Sequence, residues 1–180
     1  KKINVKISLD GDPSCYEYVR VNGKLEKVEE NIKLLQQLEN INVIGTCTTS
    51  LLNITRLVDT CKYFESLGVW YHTSLVQYPN ELNIKNLPVP LKEKVTREWY
   101  EYKDTLTDNK NHKRIKLFGQ KCIDYMNSQH SDKWETFLKY SLVLDRNQGT
   151  SLLDWYPEFI PFVDTSWQDK FAGKISSAVV

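Results

Sequence analysis

The residues of this chain best equipped for polar chemistry open it, in the stretch KKINVKISLDGDPSCYEYVR: Ser8, Asp10 and Arg20 offer a hydroxyl, a carboxylate and a guanidinium. Ser8 and Asp10 stand where an alternating run ends and the turn chemistry of Asp10-Gly11-Asp12-Pro13 begins. Thr48 and Asn53 hold the corresponding place after the run NVIGTCTTSLLN. Other sets of reactive residues are less organised. Cys15, Cys47, Cys61 and Cys122 lie too far apart for a local cluster loop and read as reduced thiols, small buried hydrophobes rather than a disulfide framework. His72, His112 and His130 have no Cys or carboxylate at ligand spacing on one helix. The chain has no Gly-rich phosphate loop and no GxSxG elbow. The basic cluster NKNHKRIK (109–116) reads as a solvated helix entry, and the aromatics of REWYEYKD (97–104) as helix packing.

The elements that must position these residues follow from periodicity. Residues 3–9 alternate, with Val5, Ile7 and Leu9 on one face and Asn4, Lys6 and Ser8 on the other. Residues 24–39 carry a helical stripe of Leu25, Val28, Ile32, Leu35 and Leu38. A second strand is expected over 41–48. A helix follows with the stripe Ile54, Leu57, Val58, Cys61, Phe64 and Leu67, capped by Asn53 and closed by Gly68. A third strand is expected over 69–77. Strand–helix–strand–helix–strand is the pattern of a parallel sheet with crossover helices. In such folds ligands sit at the C-terminal strand ends, where Ser8, Asp10 and Thr48 lie.

From Pro88 and Pro90 onward the pattern is helical. Helices are expected over 91–105, 112–127 and 132–146, the last capped by Ser131 and stopped by Gly149. Trp155, Tyr156, Phe159, Phe162 and Trp167 read as anchors onto the body, followed by a frayed end. The expected organisation is α/β: residues 1–90 as the parallel βα half of a (βα)6 partial TIM-type barrel, and 91–180 as an α-helical C-terminal extension. The polar face Asn4, Lys6, Ser8, Asn42, Thr46 and Thr48 would line the lumen, with the barrel's first strands upstream. With 180 residues, 41% hydrophobic and 26% charged, a formal net charge of +1 and no apolar run of membrane length, the chain reads as a soluble cytoplasmic protein. It has no global basic field to suit nucleic acid.

The segments KINVKISLDG, YEYVRVNGKLEKVEENIKLL, NVIGTCTTSLLNI and WYHTSLVQYPNELNIKNLP together resemble the radical S-adenosylmethionine enzymes, in their SPASM/twitch-type branch. The resemblance covers about residues 3–90, the fourth to sixth barrel strands. It implies that Ser8 and Arg20 hold the methionyl carboxylate of S-adenosylmethionine, that Asp10 belongs to the same strand-end motif, and that Asn53 matches the Asn following the next strand; with Thr48, placed at that strand's end by the fold, these are the expected cofactor-binding residues. An arginine fork and a short hydroxyl suit a carboxylate in a partly dry site.

The resemblance further implies a [4Fe–4S] cluster, an electron donor such as flavodoxin or ferredoxin, and hydrogen abstraction from a peptide or protein substrate. The defining CxxxCxxC loop is not among these residues, so its ligands are expected upstream of Lys1. With Cys122 alone in the C-terminal region, no auxiliary cluster is expected. The alternative reading is a non-catalytic half-barrel that serves as a binding or assembly module.

Overall fold

The computed structural model describes residues 2–129 and 131–172. The chain divides into two compact units, residues 1–130 and 131–180. In the first, β1 (Ile3–Ser8), β2 (Ile41–Thr49) and β3 (Trp70–Leu75) form a parallel sheet in the order β1-β2-β3. The register pairs Ser8 with Thr46, and Thr46 with His72. The short α1 (Tyr16–Val19) and then α2 (Leu25–Gln36) join β1 to β2. A 3₁₀ turn (Ile54–Arg56) running into α3 (Leu57–Ser66) joins β2 to β3. The unit closes with α4 (Val89–Thr105) and α5 (Lys110–Asn127). The chain is thus a mixed α/β protein with a small three-stranded parallel sheet, and α4 and α5 fall in the same compact unit as the sheet.

Alternation along the strands separates the two faces of the sheet, including in β3, for which the residue pattern left the face open. Val43, Cys47, Tyr71 and Thr73 are buried. Phe64 of α3 and Phe118 of α5 meet the Tyr71 ring from two sides, at 4.9 and 5.2 Å between centroids. On the other face Asn4, Lys6, Ser8, Thr48, Trp70, His72 and Ser74 are exposed. A same-handed crossover between sequence-adjacent parallel strands returns its helix to the same face, which leaves the second face bare. Helix α4 packs on α5 through Trp99, which is wholly buried.

The second unit consists of α6 (Trp134–Gln148), α7 (Leu152–Trp155), a 3₁₀ segment (Pro157–Phe162) and α8 (Thr165–Ala172). Its core gathers Phe137, Leu138, Tyr156 and Phe159, with Tyr156 stacked on Phe159 and Trp134 edge-on to it. Of the aromatics expected to be anchors, Tyr156 and Phe159 join the core of this unit with residues of α6. The buried Asp145 carboxylate accepts the Leu152 amide at 2.8 Å and ties α6 to α7.

Two capping expectations are corrected. Helix α6 begins at Trp134 with Lys133 before it, so Ser131 lies outside the helix and does not cap it. Asn53 precedes the 3₁₀ turn without capping it, because its amide is engaged on the loop behind it. Gly68 and Gly149 take the positive φ angles, 61° and 66°, expected where α3 and α6 stop. The frayed end expected for the tail falls in residues 173–180, outside the described residues.

Candidate functional site

The C-terminal ends of β1 and β2 bring together four of the five residues singled out by sequence. The ladder runs on past β1 as the Leu9 amide donates to the Thr46 carbonyl at 2.8 Å. The next residue, Asp10, is 5% exposed and turns its carboxylate toward β2. Its Oδ1 accepts the Thr48 backbone N–H at 2.6 Å, and its Oδ2 meets the Arg20 guanidinium at 2.6 Å. Asp12 nucleates the return: its carbonyl accepts the Tyr16 amide at 3.0 Å, starting α1, at whose end Arg20 donates its amide to the Tyr16 carbonyl. The short helix is what carries Arg20 back to the strand end it left. Gly11, between the two aspartates, has φ 124°, in the region glycine adopts without strain.

Asn53 pins the exit of β2. Its Oδ1 accepts the Ser50 amide at 2.8 Å, and its Nδ2 donates to the Thr48 carbonyl at 2.9 Å. Thr48 therefore offers both backbone groups to the constellation, its N–H to Asp10 and its C=O to Asn53. Its side chain stays exposed. Ser8, also exposed, stands on the open face two residues before Asp10, beside Thr46 in the register. Arg20 has a 40% exposed side chain, and its Nε is buried without a hydrogen-bond partner among the described residues.

Sequence reasoning overlooked a second polar group, on the helix-covered side. Thr49 and Thr73 face each other across β2 and β3, 2.9 Å apart between hydroxyl oxygens. Cys47 and Cys122 approach the same Thr49 hydroxyl at 4.0 and 3.8 Å. The signal was present: Thr49 and Thr73 have the strand parity of the buried Cys47 and Tyr71. All four cysteines are free and buried, as expected. Among the described residues no three His, Cys, Asp or Glu side chains gather to hold a metal ion. Burial raises every thiol, and Cys122 moves from the ordinary 9.0 to about 11 despite hydrogen bonds from Thr49 and Thr73 that favour the thiolate.

The sign of that shift predicts alkaline lability. A raised thiol pKa means that the unfolded chain loses its proton first. The stabilisation is complete below about pH 9 and is lost as pH rises from there through 11 and beyond. Urea midpoints should hold steady from pH 7 to 8.5 and fall progressively above 9. An aromatic disulfide reagent at pH 8 should label no thiol in the native chain and all four in urea.

His112, expected only as a scattered histidine, ties α5 to α3. Its Nδ1 accepts the Thr107 amide at 2.9 Å, so Nε2 carries the proton it shares with Glu65 at 2.6 Å. The basic cluster at this helix start is partly offset locally, as Lys116 meets Asp108 at 3.4 Å.

Fold and site together define a parallel α/β unit with a buried aspartate paired to a partly exposed arginine at its strand ends, and one open polar face. Comparison with protein-family models, with curated proteins and with solved structures finds no match for this chain. Among the described residues no helix is long and apolar enough to cross a membrane.

Proposed function

We propose that this chain supplies the cofactor-positioning half of a radical S-adenosylmethionine enzyme: the later strands of a (βα)6 partial barrel, followed by a helical extension. The observation that carries this reading is convergence. Asp10, Arg20 and Asn53, named from a motif resemblance over a long stretch of chain, meet Thr48 at the C-terminal ends of adjacent parallel strands. The open face supports it as well. Parallel sheets are almost always covered on both faces, and this one is bare on the face that a closing barrel would turn inward. Further strands would also cover the edge of β1 that pairs with no strand among the described residues, where Ile7, Val28, Asn31, Leu34 and Leu35 line a mainly apolar groove of about 460 Å³.

The residues present fit the amino-acid end of S-adenosylmethionine. Arg20, held by Asp10 at one nitrogen, has a 40% exposed side chain from which its planar fork would meet the methionyl carboxylate. Ser8 adds a hydroxyl at the same strand end. Asp10 orients the guanidinium, and Asn53 fixes the backbone that borders the site. When bound, S-adenosylmethionine and a reduced [4Fe–4S] cluster supply radical chemistry. The four cysteines here are buried and dispersed and do not fit that cluster, so its ligands are assigned to sequence outside these residues. The electron would come from a flavodoxin- or ferredoxin-type donor, and the substrate would be a peptide or protein. The alternative, a non-catalytic assembly module, draws on the same apolar edge of β1.

The test uses the full-length protein that contains this chain, purified anaerobically. About four irons and four sulfides per chain are expected, with S-adenosylmethionine bound. Arg20→Ala should raise its dissociation constant about tenfold or more, and Arg20→Lys less, since an ammonium keeps the charge but not the planar fork. An unchanged constant in Arg20→Ala would refute the carboxylate role. Absence of both iron and cofactor binding would favour the assembly module.

A further inference from the structure

A second concavity lies away from the strand-end constellation, between α5 and the edge of β3 that pairs with no strand among the described residues. It is centred on the first half of β3, where Trp70 pairs with Ile44, rather than on the C-terminal ends. Its volume, about 380 Å³, lies within the range of small-molecule sites. The lining is mainly apolar, with Ile44, Trp70 and Leu117 prominent, and its charges are of one sign. Arg114 and Lys121 face it, His72 borders it, and none of its lining residues is acidic.

Arg114, Leu117 and Lys121 share one face of α5 at spacings of three and four residues. The two cations therefore stand about 10 Å apart along the helix with the leucine between them. Among the described residues neither cation makes an ion pair; the Arg114 guanidinium instead sits over the Trp70 ring, its Cζ 3.5 Å from the centroid. Lys110 approaches the same ring at 5.2 Å. A stacked guanidinium keeps its N–H edge free for an oxyanion while its face is held in place. An apolar floor with two unneutralised cations at its rim complements a small organic anion. It does not complement a neutral lipid chain or a bare phosphate.

We propose that this groove binds a small carboxylate or phosphate ester with a planar or short apolar body, the anion held by Arg114 and Lys121 and the body lying against Trp70, Ile44 and Leu117. The assignment stands independently of the strand-end reading.

Calorimetric titration of the chain with 2-naphthoate, 2-naphthyl phosphate, the neutral 2-naphthalenemethanol and inorganic phosphate tests it. At least one naphthyl anion should bind, and the tighter of the two identifies the head group. The alcohol and inorganic phosphate should each bind about tenfold more weakly or worse. Arg114→Gln and Lys121→Gln should each weaken the anion about fivefold, whereas Lys113→Gln, on the same helix outside the groove, should not. Lys121 is exposed, so its variant keeps the test valid if Arg114→Gln is poorly folded. Equal binding of the alcohol, an unchanged constant in Lys121→Gln, no naphthyl binding at millimolar concentration, or displacement of the naphthyl anions only by an RNA oligonucleotide would overturn the proposal.

Discussion

Asp10→Ala is expected to lower the unfolding free energy of the sheet unit by about 2–3 kcal/mol. The carboxylate is 5% exposed and does two jobs that no neighbour can take over. It accepts the Thr48 amide across the β1–β2 seam, and it neutralises Arg20. Its loss leaves a part-buried backbone donor unpaired and a guanidinium, already lacking a partner at Nε among the described residues, without its counter-ion. The Arg20 side chain is 40% exposed, and water recovers part of its cost, which holds the estimate at the lower end of the range for broken buried pairs. Asp10→Asn retains an oxygen for the Thr48 N–H and should cost about 1 kcal/mol. Urea unfolding followed by circular dichroism, with hydrogen exchange at Thr48, separates the two contributions. An Asp10→Ala variant within 0.5 kcal/mol of the parent would show that the pair is not structural.

Gly119→Ala should cost a similar amount, about 2–3 kcal/mol, for the opposite reason: too many atoms rather than too few. Gly119 lies in the middle of α5, where glycine is otherwise unfavourable. The Trp99 indole of α4 lies directly over it, so that a Cβ would fall inside the van der Waals shell of three ring carbons. Trp99 is fully buried and edge-on to Tyr102, and a rigid ring so enclosed cannot step aside as a flexible chain end would. Helix propensity alone predicts that alanine stabilises, so the sign of the effect decides between the two accounts. The double variant Gly119→Ala/Trp99→Leu should be more stable than the sum of the singles predicts, by about 1 kcal/mol or more. Simple additivity would mean that the two residues do not press on each other.

Much of this architecture was legible in the residue pattern. Alternation in 3–9, the strand runs expected over 41–48 and 69–77, and the stripes beginning at Leu25 and Ile54 place three strands and two crossover helices within a few residues of where they lie, because each element must turn its own apolar atoms to one side. Turn chemistry at Asp10-Gly11-Asp12-Pro13 marks a strand end and so a place for polar residues. Local pattern was weaker at the caps. Ser131 and Asn53 have the right residue type for a helix start, but a side chain near a strand end has other backbone groups within reach, and Asn53 takes the Ser50 amide and the Thr48 carbonyl.

By itself, then, the sequence determined the order and type of the three strands and the two longer helices in the first ninety residues, though not the short α1 that returns Arg20 to the strand end, together with the burial of the four thiols and the placement of Ser8, Asp10 and Thr48 at strand ends. These follow from periods of two and 3.6 residues, which are properties of the chain taken locally. Only the tertiary structure decided which partners the polar groups take: Asp10 on the Thr48 amide, Thr49 against Thr73, His112 on Glu65, Arg114 on Trp70 and Trp99 over Gly119. Each of these contacts joins segments remote in sequence, and its existence depends on strand register and helix approach. A side-chain pattern specifies which face is buried, but not which distant atom comes to lie against it.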